Sequence, residues 1–592
     1  MKKAITIIVI FLILVSIGVL VLYKMLAQEV KVDTDKLKDG SYLYVDLSRE
    51  YPERNDFNFS FFMNINKAPL AFYRLIEAVD YAASDDKIKA MVIIGSVNRL
   101  NRAQTEELYE AIKRFGENKK IYGYTEYLTM GNAVLLSNCD SIFMPEVGDI
   151  IMPGISIQPF FYKGLFDKIG VGFDVIQAGK YKGGMETFVR KEFSEPFEKS
   201  IEVLLDDIYD FYKVRITEAR GLPEYQFDSL VSKAIIYGDD VLKSGLVDAF
   251  MYRNDIERML EDRIEGLTED EEFDDYKISI KKYANGIKNK MSYTKKEIAL
   301  IIAEGNIMPG SAKENPFGRE DGIFSTTLSN VIDDAADDDD IKAVVLRINS
   351  GGGSALASDI IWNSIVRAKE KKPFIVSMSG AAASGGYYIA MAADTIFAGN
   401  TTITGSIGVY GAKPYIKGLL EKADITKQVF KRGEHARIYN SIDRPWNDEE
   451  RKILEGSIDN MYEDFITKAA DGRNMAVSDM DSVAQGRVWS GEDAVQQGIV
   501  DANGGLWDAI KYAQKSLKIP LNEHPKIKVL PKQKTLFEML YGIEEQAAKA
   551  ILPEFYTRLK EFENQNFDLL QYKPGEALMI CPIEVVGDNP IH

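Results

Sequence analysis

Two rhythms of hydrophobic and polar positions alternate along most of this chain. Short runs such as "AVVLRIN" (Ala343 to Asn349) are β-branched and apolar, the pattern of a strand buried on both faces. The stretch after the next glycines, "SALASDIIWNSIVRAKEK" (Ser354 to Lys371), sets Ile360, Ile361, Ile365 and Val366 at helical spacing. "PFIVSMS" (Pro373 to Ser379) then returns to a strand. Strand–helix–strand alternation predicts an α/β fold with parallel sheets.

The rhythm occurs twice. "DDKIKAMVII" (Asp85 to Ile94) matches "DDDIKAVVLR" (Asp338 to Arg347), and "CDSIF" (Cys139 to Phe143) matches "ADTIF" (Ala393 to Phe397). "YGDDVLKSGLVDA" (Tyr237 to Ala249) matches "WSGEDAVQQGIVDA" (Trp489 to Ala502). The offsets agree: 341 − 88 = 253, 394 − 140 = 254 and 501 − 248 = 253. Three matches in order at one spacing predict two tandem copies of one unit, residues 55–285 and 296–515. Residues 29–54 are a linker or the start of the body, and residues 520–592 form a C-terminal extension outside the repeat. In that extension "TLFEMLYGIEEQAAKAILPEFYTRLKEF" (Thr535 to Phe562) reads as an amphipathic helix or helix pair. The acidic "TEDEEFDD" from Thr268 and "MSYTKKE" from Met291 read as solvated linker between the copies. "DDAADDDD" (Asp333 to Asp340) lacks the spaced ligands and turn glycine of a calcium loop and reads as a solvated helix end.

A third pattern stands at the N-terminus. "AITIIVIFLILVSIGVLVLY" (Ala4 to Tyr23) carries no charge and has the ~20-residue length of a bilayer-spanning helix. A cleavable signal would have a shorter apolar core and a small-residue site, whereas "KMLAQ" has Met25 at the wrong place. Residues 1–28 are therefore expected to be a cytoplasmic tip and an uncleaved anchor. Lys2 and Lys3 hold the tip inside and put the body outside.

Charge and composition narrow the chemistry. A net charge of −18 argues against nucleic acid as a partner. Cys139 and Cys581, with three histidines in all, supply neither a disulfide framework nor a zinc-ligand spacing. Cys139 lies in an apolar run and reads as a core thiol. No metal or cofactor is expected.

One serine, Ser384, stands in "GAAASGGYYIA" at the start of a short predicted helix. Upstream, "INSGGGS" (Ile348 to Ser354) joins a strand to a helix without the lysine of a phosphate loop. Bare glycine amides suit an oxyanion hole, and the amide of Gly385 is a second donor. Nucleophile and donors in successive strand–helix units predict an acyl-transfer site. Its base is the difficulty. "TTITGSIGVYG", after the serine, contains no histidine; His524 and His592 lie in the tail, and His435 in "KRGEHARIY" reads as a surface residue. A lysine serves as base when burial lowers its pKa, but composition does not choose among so many.

These motifs carry a resemblance. "NSGGGSALAS", "GAAASGGYYIA" and "TTITGSIGV", with "QAGKYKGGMETF" (Gln177 to Phe188), resemble the signal peptide peptidase A family, in its long, duplicated Gram-negative form. The glycine and serine motifs also resemble those of Clp proteases. The resemblance implies two tandem Clp/crotonase-like domains of repeated ββα units and a Ser–Lys endopeptidase. It implies Ser384 as nucleophile, Lys182 as general base, Ser406 as the hydroxyl orienting the lysine, and Gly353 and Gly385 as oxyanion donors. It further implies cleaved signal peptides and other apolar peptides as substrates, a homotetramer, and a periplasmic body anchored in the inner membrane. Two departures stand out: Gly351 replaces the family's usual proline, and Thr187 stands where "EPF" is common. Spacing alone does not separate Lys182 from Lys180, which would share a strand face with it. The alternatives are a crotonase-type acyl-CoA enzyme, which uses the oxyanion hole without a serine, and an inactive membrane-tethered scaffold.

The repeat adds a point independent of the resemblance. Ser384 maps onto Met130, Lys182 onto Ala436, and Gly351–Gly353 onto Asn98, Arg99 and Leu100. Each copy lacks what the other holds, which predicts one site assembled across both.

Overall fold

Two parallel sheets of matching strand order build the body. The computed structural model describes residues 37–54, 69–264, 272–287, 293–315, 318–520, 523–531 and 577–580. The expected anchor (Ala4 to Tyr23) and the amphipathic stretch (Thr535 to Phe562) lie outside the described residues. Among the described residues no helix is long and apolar enough to cross a membrane.

In the first sheet the order is Lys277–Ser279, Ser41–Asp46, Ile88–Ile94, Lys120–Tyr124, Ser141–Met144 and Ala249–Phe250, each neighbour parallel. The second repeats it with His524–Leu530, Tyr293–Glu304, Ile341–Ser350, Phe374–Ala383, Thr395–Ala398 and Ala502–Asn503, and adds Ile403–Gly405 beside Phe374–Ala383 and an antiparallel Val488–Ser490 beyond it. The duplication extends to the longest helices. Glu195–Arg220 and Asp448–Arg473 are both 26 residues long and start 448 − 195 = 253 residues apart. The first opens with Pro196, Glu195 and Glu198 in its first turn, where a missing amide and negative charge are favoured. It closes on Gly221 in the left-handed conformation, the usual stop.

The sheets draw wider units than 55–285 and 296–515. Ser41–Asp46 is paired on both sides, so it is a central strand of the first sheet and not lead-in chain. His524–Leu530 is a second-sheet strand, placed there by its pairing with Tyr293–Glu304. The solvated-linker reading also needs correction. Phe273 and Tyr276 are buried, and Phe273 packs on Tyr42 with ring centroids 5.8 Å apart. Within "MSYTKKE" the strand Tyr293–Glu304 already begins. In the first segment, buried aromatics among the charges tie the chain down; in the second, strand pairing does.

A third sheet joins the repeats. Its order is Ile323–Phe324, Ile307–Met308, Gly352–Ser354 (the glycine strand), Ala577–Ile580 (the tail strand), Val409–Tyr415 (the cover strand) and Gly172–Ala178 (the lysine strand). Cover and lysine strands come from different repeats and pair antiparallel over seven residues, Val409 with Ala178 through Tyr415 with Gly172.

The seam between the two repeats is ionic. Arg347, wholly buried, donates to Glu53 at 3.0 Å, to Glu107 at 2.6 Å and to the Ser377 hydroxyl at 2.8 Å. Glu107 also accepts the Leu506 amide at 2.7 Å, and Glu106 accepts the Asn400 amide at 2.8 Å. Both glutamates belong to the helix Arg102–Gly116 of the first repeat, and their other partners belong to the second. Burial pushes the Glu107 carboxyl up to about 7, outweighing the pull of Arg347, and raises Glu106 as well. A charge cluster of this kind adds little net stability, but removing one member strands the others.

Candidate active site

Ser384 follows the strand Phe374–Ala383 and caps the helix Gly385–Ala390. Its backbone sits at φ 56, ψ −114, a region L-residues rarely enter and one that costs about 1–3 kcal/mol. Two hydrogen bonds hold it there. The Ser384 amide donates to the Gly405 carbonyl at 2.8 Å, and the Tyr388 amide donates to the Ser384 carbonyl at 2.8 Å. The side chain is wholly buried.

Lys182 arrives from the other repeat, in the turn after the lysine strand. The turn is seated on the second repeat: the Tyr181 amide donates to the Gln485 carbonyl at 2.8 Å. Gly486 makes the close approach possible. It sits at φ +79, and a Cβ there would lie 2.7 Å from both the Cβ and the backbone nitrogen of Lys182. The same loop seats Ser406, whose amide donates to the Arg487 carbonyl at 2.6 Å. Ser406 also has positive φ, at 49.

The three side chains meet. Lys182 Nζ donates to Ser384 Oγ at 2.7 Å, to the Ser406 carbonyl at 2.8 Å and to Ser406 Oγ at 3.0 Å. Lys182 and Ser406 are each 1% exposed, so the cluster is shut off from bulk water. The two glycines are brought together as well: a Cβ on Gly385 would lie 3.0 Å from the Gly353 nitrogen. The Gly352 amide donates to Ser350 Oγ at 3.1 Å, which orders the loop around Gly351 without the proline. Lys180 is separated from Lys182 and does not share a face with it. The strand ends at Ala178, and the turn leaves Lys180 exposed with its amine 5.0 Å from the Tyr181 ring. His435 stands 3.9 Å from Glu449 in a largely exposed segment, and Cys139 is a buried free thiol whose pKa burial raises.

Chemically, a neutral amine has two N–H donors and one lone pair. An ammonium donates to all three oxygens; in the neutral form the two oxygens of Ser406 take both N–H donors, and the 2.7 Å contact is made the other way, with the Ser384 hydroxyl donating to the lone pair. Sequence reasoning did not find the Ser406 carbonyl, the Gln485–Arg487 loop, Ser350 or the Arg347 cluster. A charged residue in the middle of "AVVLRIN" was a signal for the last.

The model of peptidase family S49 matches twice, at residues 113–265 and 367–520, once in each repeat. The chain is 34% identical over 479 residues to the chloroplastic serine protease SPPA of Arabidopsis thaliana, covering 80% of this chain and 70% of that one. It is 28% identical over 495 residues to protease 4 of Salmonella typhi, covering 82% and 78%. Protease 4 of Haemophilus influenzae is 28% identical over 469 residues, covering 75% and 73%. An α/β body with a buried serine, matched to these relatives, defines a serine protease. The chain belongs to peptidase family S49.

Proposed function

We propose that the chain is an endopeptidase working through a Ser384–Lys182 dyad on apolar peptides at a membrane. The observation that carries this is the 2.7 Å contact between Lys182 Nζ and Ser384 Oγ, made across the two repeats. The neutral amine of Lys182 takes the Ser384 proton as Oγ attacks the scissile carbonyl carbon. The oxyanion forms against the amides of Gly353 and Gly385. Collapse breaks the C–N bond, and the lysine gives its proton to the leaving amine. Water, deprotonated by the same amine, attacks the acyl-enzyme and releases the acid and Ser384 Oγ–H. Ser406 holds the lysine in place through both of its oxygens. Turnover therefore rises with pH as the amine becomes neutral.

The substrate in this reading is a signal peptide left in the bilayer after preprotein processing. Residues 4–23 anchor the body to the inner membrane on its periplasmic side, and the active form is a homotetramer. The uncharged N-terminal run and the family of the chain support it. Lys182→Ala and Ser384→Ala should each abolish cleavage of an apolar fluorogenic peptide and leave the circular dichroism spectrum unchanged. A fluorophosphonate should label wild type at Ser384. Near-wild-type turnover by Lys182→Ala would refute the dyad.

A further inference from the structure

One short segment meets all three parts of the site. The strand Val488–Ser490 pairs antiparallel with Ile403–Gly405, with Val488 opposite Gly405 and Trp489 opposite Thr404. The carbonyl of Gly405 accepts the Ser384 amide, and Ser406 follows it in the chain. Just before the strand, the Gln485 carbonyl takes the Tyr181 amide and the Arg487 carbonyl takes the Ser406 amide. The main chain makes all of these contacts. The side chain of Arg487 makes none of them.

That side chain is held by rings. Its guanidinium carbon stands 3.9 Å from the centroid of the Trp489 ring and 5.7 Å from that of Tyr181. The indole is itself fixed. Trp489 is buried, donates Nε1 to the Val483 carbonyl at 2.9 Å, and lies so close to Gly405 that a Cβ there would be 2.8 Å from its Cδ1. Carboxylates are at hand. Glu195, Glu202 and Asp206, with Lys199, line the same surface depression from the helix Glu195–Arg220, and Lys180 lines it from the lysine turn. Glu195 takes Lys199 at 2.7 Å. Among the described residues Arg487 has no ion pair, and its Nε is buried with no hydrogen-bond partner. An arginine that forgoes a nearby carboxylate and leaves a buried N–H unmet is placed for the stack, which its flat guanidinium suits. Trp489 belongs to the second repeat, and Tyr181 directly precedes Lys182 in the first.

We propose that Arg487 is a positioning residue for the general base: its guanidinium, packed against Trp489 and Tyr181, fixes the turn that aims Lys182 at Ser384. This rests on the dyad reading and deepens it by naming what holds the base from outside the site. Arg487 acts through Tyr181 and not on the reacting atoms. Loosening the turn should raise the pKa of the amine. An amine held less closely by Ser406 gains water, water favours the ammonium, and the pKa moves toward the ordinary ~10.4. The pH at which turnover rises should move up with it.

The test measures kcat, KM and the pH–rate profile of full-length wild type, Arg487→Met, Arg487→Lys and Tyr181→Leu on an apolar fluorogenic peptide. Arg487→Met should lower kcat about tenfold with KM within about twofold, and move the rise of the profile up by about one pH unit. Arg487→Lys keeps the charge without the flat face and should resemble Arg487→Met. Tyr181→Leu removes a partner of the stack and should give the same shift with Arg487 in place. The double variant Tyr181→Leu/Arg487→Met should be no slower than the worse single one, because the two residues act as a unit. A protein that is merely less stable loses rate at every pH without moving the rise. An unmoved rise in Arg487→Met, a wild-type profile for Arg487→Lys, or multiplied losses in the double variant would overturn the proposal. Lys182→Ala is assayed alongside. Near-wild-type turnover there removes the dyad and the proposal together, whereas an inactive Lys182→Ala beside an unmoved Arg487→Met profile overturns the proposal alone.

Discussion

The two repeats share a strand order but end their equivalent strands differently, and the site lies in that difference. In the second repeat the strand Ile341–Ser350 runs into three glycines, and Gly352 and Gly353 take φ of +111 and +156. In the first, the matching positions are Asn98, Arg99 and Leu100, and side chains seal the turn. Asn98 donates to the Thr105 hydroxyl and the Gly131 carbonyl, and Asn101 with Gln104 forms a capping box on the next helix. The turn that carries Ser384 diverges in the same way. Ser384 caps its helix at φ 56, whereas Thr129 caps the corresponding one at an ordinary φ −102. One copy closes these turns with side-chain hydrogen bonds, and the other keeps positive φ at Gly352, Gly353 and Ser384. The exchange is reciprocal. Lys182 is buried in the first copy's turn, while Ala436 sits in an exposed segment of the second.

The strongest way to break this comparison is to move the lysine. Lys182→Ala/Ala436→Lys returns a lysine to the repeat that holds the serine, at the position the duplication assigns. It should be as inactive as Lys182→Ala, with kcat/KM down by at least ~10³-fold, or about 4 kcal/mol of barrier. Ala436 is exposed, whereas Lys182 is buried against Ser384. Recovery of a tenth of wild-type activity would show that the repeats are interchangeable at this position.

Seating of the lysine is the next largest effect. Gly486→Ala forces a Cβ to within 2.7 Å of Lys182. The turn must shift, and misplacement by about 1 Å costs on the order of 10²-fold in rate. We expect kcat to fall by that amount with thermal unfolding within a few degrees of wild type. Unchanged kcat would mean that the turn has slack the contact does not suggest.

The comparison also explains what could be read from sequence. The duplication, the α/β class, Ser384 and the glycine run were legible because each depends on residues adjacent in the chain. The proximity of Lys182 to Ser384 was not, since 202 residues separate them. Only the family motif and the complementary losses in the two copies pointed to it. Lys180 and Lys182 are equivalent only on a continuous strand, and the chain bends at Gly179 instead. The positive φ of Ser384 and Ser406 has no residue-type signature, because neither is glycine. The tail strand was invisible for another reason: "ALMI" is four residues long and far from any repeat.

A smaller effect concerns Ser406, which the proposed mechanism makes the support of the lysine. Ser406→Ala removes the hydroxyl at 3.0 Å but keeps the carbonyl at 2.8 Å. One of two supports remains, so kcat should fall about tenfold, near 1.4 kcal/mol. Ser406→Thr should recover most of it. A pH–rate profile separates this from general damage, because a poorly held amine changes the pH at which activity rises.

The smallest effect lies at the seam, where both repeats meet through Glu107. Its carboxyl is raised from 4.5 to about 7 in the folded protein, chiefly by burial. An acid with a raised pKa binds its proton more tightly when folded. The stability it confers is therefore present at low pH and lost as pH climbs from about 4.5 through about 7. Glu106 contributes in the same direction and Arg347 stays charged throughout, so only the share of Glu107 is at issue. Glu107→Gln keeps an oxygen for the Leu506 amide and has no charge to titrate. Denaturant unfolding at pH 5.5 and 7.5 should show wild type losing roughly 1 kcal/mol more than Glu107→Gln over that interval. The slope is the readout, because the variant also leaves Arg347 with less countercharge and so shifts both values together. Parallel slopes would place the titration elsewhere, and the contact would then be a fixed joint between an active and a relaxed repeat at every pH the protein meets.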